Sequence, residues 1–266
     1  MTQTLKVSSP ATAEFWEIPV LYEDAHLLAL NKPAGLPVTP DRSEAERPDL
    51  MKLLHLGMAR GAAWARERGL AYLSHAHRVE SATSGALLLA KDKPTLIALA
   101  AQFGAAKPAW TYAALVRGSV KEATFSCDAK LAPHPLRPAY LRVDPQRGRR
   151  ACTEFSVREV FSAGYLLLEC RPLGGRPHQI AAHLRHLRLP LVGDDLYGGP
   201  PLCLSTLKST YRLKPGQTER PLISRPALHA EGVVCELPGA GGSLKIQAAW
   251  PKDLTVSIKY LRRFGV

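Results

Sequence analysis

Nine consecutive residues bring together the groups most able to do chemistry: His77-Arg78-Val79-Glu80-Ser81-Ala82-Thr83-Ser84-Gly85. An imidazole, a guanidinium, a carboxylate and several hydroxyls stand directly before the apolar run Ala86 to Ala90. The carboxylate of Glu80 is the group here that could serve as nucleophile or base. Loops carried on a rigid scaffold are where such groups tend to sit. The same residues also describe a polar turn with a surface Arg–Glu pair, which would contribute little to stability.

A second segment, Arg171 to Leu184, places Gly174-Gly175-Arg176-Pro177-His178-Gln179 ahead of a helical pattern. Free N–H groups at a helix start favour anions such as phosphate, and Arg176 adds a charged fork. A third segment, Pro190 to Gly198, contains Asp194-Asp195. Adjacent carboxylates can hold magnesium, but in a loop they more often cap a turn or face water. His178, His183 and His186 invite a zinc reading. The i, i+5 spacing of the first two does not put both on one helix face, and the H-E-x-x-H pattern is absent. No phosphate-cradling glycine loop and no flavin motif is present, so neither a metal nor a cofactor is expected.

The elements that must position these residues can be read from periodicity and punctuation. Residues 1–17 read as a short, flexible leader, with the main domain running from 18 to 266. Ile18 to Leu30 reads as two strands around the acidic turn Glu23-Asp24, and Asn31-Lys32-Pro33-Ala34-Gly35-Leu36 breaks regular structure. Residues 41–48 read as a charged loop. Leu50, Leu53, Leu54 and Met58 recur at helical spacing behind the N-cap Asp49. Ala86 to Ala90 suits a buried strand. A helix is predicted from Pro94 to Phe103 and another strand over Thr111 to Val116. The proline-rich, basic stretch 132–150, with Arg147, Arg149 and Arg150, reads as an exposed loop or hairpin tip. Thr153 to Phe161 and Gly164 to Cys170 form a predicted hairpin. Pro177 to about Arg188 forms a predicted helix with Ile180, Leu184 and Leu187 buried. Two strands over 229–250 joined by the turn Gly239 to Gly242, and a helix marked by Leu254, Ile258 and Leu261, complete an α+β pattern around a mostly antiparallel sheet.

Composition bounds the partners. The chain has 266 residues, 46% of them apolar, enough to bury a core. Lys and Arg number 35 against 23 Asp and Glu, a net charge of +12 that points to a polyanion, nucleic acid ahead of a membrane surface. No run of about 18 apolar residues marks a membrane span. No signal-peptide pattern is evident, so a cytoplasmic location is the default. The five cysteines are dispersed without a C-x-x-C pair, which argues against zinc-ribbon and thioredoxin-like readings.

Read in order, the motifs resemble the RluA-type family of RNA pseudouridine synthases. The likeness runs from about Val20 to the end. It includes Leu21-Tyr22-Glu23-Asp24, Asn31-Lys32-Pro33-Ala34-Gly35, His77-Arg78-Val79-Glu80 with Thr83-Ser84-Gly85, and Tyr112. It continues with Gly175-Arg176, His178-Gln179-Ile180, Pro190 to Asp194, Leu196-Tyr197-Gly198 and Leu228-His229-Ala230. The resemblance implies the pseudouridine synthase fold, a mostly antiparallel mixed sheet with flanking helices. It also implies conversion of uridine to pseudouridine in structured ribosomal or transfer RNA, without cofactor or metal. The leader before Ile18 is expected to be too short for the additional N-terminal RNA-binding domain of many relatives.

Carried over by position, Glu80 takes the place of the family's reacting Asp, Arg78 that of the Arg filling the space of the flipped base, and Tyr112 that of the Tyr lying against it. The matching motifs make His77, Thr83, Arg176, His178 and Gln179 candidate substrate-binding residues. Arg185, one turn beyond Ala181, is a further candidate. Three positions depart from the family pattern. Glu80 is longer than Asp by one carbon–carbon bond, about 1.5 Å. Ala181 replaces the Arg that pairs with the reacting carboxylate, and Trp110 replaces a Lys. These departures suit either a retuned enzyme or an RNA-binding relative on the same fold that has lost catalysis. A metal-dependent nuclease using Glu80 and nearby histidines forms a third class, separable by metal dependence.

Overall fold

The computed structural model describes residues 4–40, 47–214, 216–236 and 242–264. The chain forms two compact units, Met1–Trp110 with Ala230–Ala249, and Thr111–His229 with Trp250–Val266.

The first unit begins with an antiparallel hairpin of β1 (Thr4–Ser9) and β2 (Glu14–Glu23), pairing Leu5 with Ile18 and Val7 with Trp16. For the described residues 4–17 this corrects the expectation of a flexible leader. The strand signal is a period of two: Leu5, Val7 and Ser9 are buried while Lys6 and Ser8 are exposed. Leu5 and Val7 enter one core with Ile18, Leu30, Leu54 and Leu87, which holds the segment in place.

β3 (Leu27–Lys32) follows an Asp24 turn whose carboxylate accepts the N–H groups of His26 and Leu27, both at 2.7 Å. α1 (Leu50–Ala59) is capped by Asp49, which accepts the Lys52 N–H at 2.9 Å, and buries Leu50, Met51, Leu53 and Leu54. A short α2 (Ala63–Arg66) leads to β4 (Ser74–His75) and β5 (Ser84–Ala90). Every residue of β5 is buried, which explains its unbroken apolar run. β3 lies along one edge of β5, pairing Leu27 with Ala90 and Lys32 with Gly85. α3 (Lys93–Gly104) starts behind Asp92, which accepts the Thr95 N–H, with Pro94 in its first turn.

β6 (Ala109–Arg117) carries the chain into the second unit. There follow β7 (Thr124–Cys127), β8 (Leu131–His134), β9 (Arg137–Val143), β10 (Cys152–Phe161) and β11 (Tyr165–Leu173). The basic stretch 132–150 holds the β8–β9 hairpin, and Asp144 closes the turn after it by accepting the N–H groups of Gln146 and Arg147. β6, β11, β10 and β7 form an antiparallel sheet in that order.

α4 (Gln179–His186) and α6 (Lys252–Phe264) cover the opposite faces of this sheet. Ala114, Val116, Leu166 and Leu168 face Ile180 and Leu184 of α4, while Ala113, Leu115, Tyr165 and Leu167 face Leu254, Ile258 and Leu261 of α6. The alternation of β6 and β11 thus serves two helices, and neither strand shows a polar face. A short α5 (Leu204–Leu207) precedes the segment where Arg225 grips Asp253 of α6 at 2.7 and 3.0 Å.

β12 (Leu228–Glu236) enters the first unit at Ala230, beside β5, and β13 (Ser243–Gln247) pairs with it. Part of the predicted turn Gly239 to Gly242, and most of the charged loop 41–48, lie outside the described residues. The described elements make an α+β protein.

The N-terminal hairpin yields a direct test. Leu5→Ala is expected to lower stability by about 2–5 kcal/mol through cavity formation. Lys6→Ala, removing an exposed pair with Glu17, is expected to change it by less than about 0.5 kcal/mol. Urea unfolding midpoints of the two variants measure the difference.

Candidate active site

The loop joining β4 to β5 carries His77, Arg78 and Glu80, and its path is fixed by backbone bonding. Val79 is buried in the first unit's core, so its neighbours Arg78, exposed, and Glu80, half-buried, are turned away from that core. The Glu80 carbonyl accepts the Thr83 N–H at 3.0 Å, closing a turn over residues 80–83. Thr83 is itself buried, which makes it part of the turn's foundation.

The Ser81 carbonyl is the loop's main anchor. It accepts the Gly35 N–H at 2.8 Å and Nζ of Lys32 at 3.2 Å. The same Nζ donates to the carbonyls of Pro33 and Leu36, both at 2.9 Å, and Lys32 is fully buried. Sequence reading noticed Asn31 to Leu36 as a break in regular structure and missed Lys32 as a site element. The available signal was a lysine ending the otherwise apolar strand Leu27 to Leu30. Gly35 is held at φ 86° and Gly85, opposite Lys32, at φ 120°. A side chain at Gly85 would strike the Ala230 backbone of β12, so the strand that follows the loop needs glycine there.

His77 is engaged inside its own unit. Its Nε2 accepts the Leu88 N–H at 3.0 Å, and its ring lies 4.8 Å from Phe103 and 4.6 Å from Trp110. Burial pushes its imidazole down to about 3, the nearby His75 adds to the shift, and a backbone hydrogen bond at Arg78 opposes it.

In the second unit, Tyr112 lies on β6 opposite Cys170 of β11 and is half-buried against the core containing Ile180 and Leu184. Arg176 stands in the turn before α4, where its carbonyl accepts the Gln179 N–H. His178 adopts the left-handed conformation, φ 57°, and α4 begins at Gln179 rather than Pro177. Its ring sits 5.0 Å from Tyr140, edge-on, and 6.0 Å from Tyr197.

Gln179 departs from the expected substrate-binding use. It is buried, and its Nε2 donates to the Cys152 carbonyl and the Thr153 hydroxyl, tying α4 to β10. The Thr153 hydroxyl lies 2.9 Å from Nδ1 of His183, whose Nε2 lies 2.9 Å from the Ala129 carbonyl. A neutral ring satisfies both contacts, with Nε2–H donating to the carbonyl and Nδ1 accepting from the hydroxyl. Burial lowers the His183 imidazole below its ordinary value, against an upward pull from the Ala129 carbonyl. Asp194 uses its carboxylate to accept the N–H groups of Leu196 and Tyr197, the capping role. Among the described residues no group of three or more His, Cys, Asp or Glu could hold a metal ion.

Ala181 is buried in the α4 core, whereas Arg185 is exposed beside Gly198. The helix ends at His186, short of the expected end near Arg188, and Arg188 itself turns left-handed, φ 62°. Arg185 and Arg188 line a cleft of about 1080 Å³ with Arg137, Arg142, Tyr140 and Tyr197 of the hairpin and the Asp194 turn. Among the described residues of its lining, Asp195 is the one carboxylate. The Tyr197 hydroxyl accepts the Leu141 N–H and donates to the Leu141 carbonyl, both at 3.1 Å, which moors β9 at the cleft. Tyr197 was quoted for its motif without this role, which its neighbours in sequence do not reveal.

Comparison with known proteins bears on this arrangement. The chain matches the RNA pseudouridylate synthase family over residues 26–186. It is 34% identical over 266 aligned residues to the ribosomal large subunit pseudouridine synthase D of Xanthomonas campestris pv. campestris, covering 97% of this chain and 73% of that one. It is 31% identical over 245 residues to the ribosomal large subunit pseudouridine synthase C of Salmonella typhi, covering 91% and 70%. Among solved structures, Human RNA Pseudouridylate Synthase Domain Containing 4 has the same fold, with a TM-score of 0.68, 20% identity, and 91% and 92% of the two chains covered.

Two outcomes are expected from the bonding described. Lys32→Met keeps an unbranched apolar stem, one atom shorter, but removes three donors. Amide exchange at Gly35 and Thr83 should accelerate about tenfold or more, since each lost hydrogen bond contributes about 1 kcal/mol net. The two depressed histidines also give stability a pH dependence. Unfolded, each binds a proton near the ordinary value of 6.5; folded, each stays neutral until lower pH. The unfolded chain therefore holds more protons in that interval. Their contribution is complete above about pH 6.5 and falls as pH drops toward about 3. Unfolding midpoints at pH 7.5 and 5.0 measure it, and His77→Gln should weaken the slope.

Proposed function

The chain belongs to the RNA pseudouridylate synthase family, of the RluA type, and from that membership we propose that Glu80 is the reacting carboxylate with which it converts uridine to pseudouridine in RNA. The observation that carries this reading is the Glu80 turn, clasped through Ser81 by Lys32 and Gly35 and set between buried Val79 and buried Thr83. A carboxylate held at one place on a fixed loop is what proximity-driven catalysis requires.

The reaction exchanges one bond for another. The glycosidic bond from C1′ of the ribose to N1 of uracil breaks, and a bond from C1′ to C5 forms. The hydrogen of C5 leaves as a proton, and N1 gains one. Nothing is oxidised or reduced, so side chains that bind, orient and move protons suffice. In this reading Glu80 supplies the nucleophile or base and Arg78 fills the space left in the RNA stack by the turned-out base; Tyr112 is assigned a base-facing role by its motif position alone. The added carbon of Glu80 relative to Asp sets its carboxylate farther from its backbone, by about 1.5 Å.

We assign the substrate as RNA of the large ribosomal subunit, on the names of the relatives. The cleft beside α4 supports a polyanionic partner: among the described residues of its lining, Arg137, Arg142, Arg185 and Arg188 stand against one carboxylate, Asp195. Guanidinium forks suit phosphate oxygens, and Tyr140 and Tyr197 offer faces on which bases can stack. In this reading the cleft receives a stretch of the RNA.

The test combines chemistry with binding. Release of a hydrogen label from C5 of uridine in ribosomal RNA is expected with the unaltered protein. Glu80→Gln should abolish release and leave RNA affinity within about twofold, because the amide keeps size but cannot act as nucleophile or base. Affinity should fall about 10³-fold between 50 and 200 mM salt if about six phosphates are contacted, with a shallower slope for Arg142→Glu with Arg188→Glu. Absence of release from every RNA pool would overturn the assignment of Glu80; a flat salt profile would overturn the assignment of the cleft.

A further inference from the structure

We propose that His77 is a positioning residue for Glu80, its imidazole Nε2 standing in for a strand carbonyl at the rung where β4 ends, and that Phe103 and Trp110 hold the ring in that pose. The inference rests on the assignment of Glu80 as the reacting group.

The edge of β5 that faces away from β3 is shared by two partners. β4 covers its far end, with Ser74 opposite Ala90 and His75 opposite Leu89. Ala230 of β12 lies beside its near end, at Gly85. Between them the Leu88 carbonyl still accepts the Ala76 N–H, at 3.3 Å. At the next rung the chain turns away, and no β4 carbonyl arrives for the Leu88 N–H. Leu88 is fully buried, so an unmatched N–H there would cost about 1–3 kcal/mol. The imidazole fills the rung, accepting that N–H at 3.0 Å.

The choice of residue follows from the geometry. A backbone carbonyl would keep the chain in the sheet. A side-chain acceptor lets the backbone depart at residue 77 while the rung stays closed, and three residues later Glu80 is presented. The acceptor nitrogen must carry a lone pair, so the proton of the neutral ring resides on Nδ1. Phe103 stacks on the ring at an interplanar angle of 30°, and Trp110 meets it at 56°. Phe103 comes from α3 and Trp110 from the start of β6, so the ring is fixed from outside its own loop. The groups that bear on its protonation are His75, whose charge disfavours a proton on the ring, and Arg78, whose backbone hydrogen bond favours one. Trp110, one of the departures from the family pattern, thus has a use that a lysine there would not serve, since an ammonium cannot offer a stacking face.

The experiment compares His77→Gln, which keeps an acceptor at similar reach, with His77→Leu, which removes it. Turnover of ribosomal RNA by His77→Leu is expected to fall about 100-fold in kcat, the consequence of a displacement of about 1 Å, with KM changed by less than about threefold. His77→Gln should stay within about tenfold of the unaltered protein. Exchange of the Leu88 amide should accelerate in His77→Leu only, and nitrogen NMR of the unaltered protein should show His77 protonated at Nδ1 alone at neutral pH. Unchanged kcat in His77→Leu, a rise confined to KM, or a proton found on Nε2 would overturn the proposal. If His77→Leu does not fold, the ring tautomer and the kcat of His77→Gln decide it. If the unaltered protein shows no turnover, the assignment of Glu80 fails, and the tautomer with Leu88 exchange still decides whether the ring closes the rung.

Discussion

The carbonyl oxygen of Ser81 is the point on which the arrangement of the first unit's loop depends. It accepts a backbone N–H from Gly35 and a side-chain donor from Lys32, and Lys32 spends its remaining donors on Pro33 and Leu36. Two irregular segments far apart in sequence, 33–36 and 80–83, are thereby made one body. Each would be floppy alone, because neither has a ladder to satisfy its backbone groups. Glu80 sits one residue before the clasped carbonyl, so its backbone position is inherited from the clasp. Full burial of Lys32 makes the arrangement exacting: a buried polar group is favourable only when its hydrogen bonds are made.

The second unit solves a comparable problem with a different device. α4 has few turns and begins on a left-handed residue, so its own hydrogen bonds do little to fix it. Gln179, Thr153 and His183 join it to β10 and to the Ala129 carbonyl through a buried polar chain. The β8–β9 hairpin, packed through Leu141 and Val143 against Ala182 of α4, is also moored at Leu141 by the Tyr197 hydroxyl. In both units a neutral histidine serves as a directed connector, accepting at one nitrogen. A protonated ring could not do this, and burial keeps the proton off.

Much of the fold was legible in the chain because period and punctuation are local properties. Asp49 announced its helix through a side chain that caps a nearby N–H, and Pro94 announced the next by suiting a first turn, whereas the cap at Asp92 emerged only in the structure. Ala86 to Ala90 announced a buried strand by lacking any polar face. The N-terminal hairpin was misjudged because its polar residues dominate by count, although Leu5 and Val7 alternate as an edge strand requires. The start of α4 was placed at Pro177 because proline suits a first turn, whereas the chain holds His178 left-handed and begins one residue later.

The sequence by itself determined the motif order, the identity of the carboxylate at 80, and the positive charge that suits RNA. These reside in residue types and their spacing, which no packing can alter. Only the tertiary structure decided what several of those residues are for. His77 and Gln179 were candidate substrate-binding residues, yet their polar atoms close a strand rung and anchor a helix. Lys32 and Tyr197 read as ordinary members of their motifs until their donors are followed to Ser81 and Leu141. The physical reason is the range of the interactions. A cap or a hydrophobic period is satisfied within a few residues, but a buried donor can be matched by an acceptor anywhere in the chain, and only the folded backbone brings the two within about 3 Å.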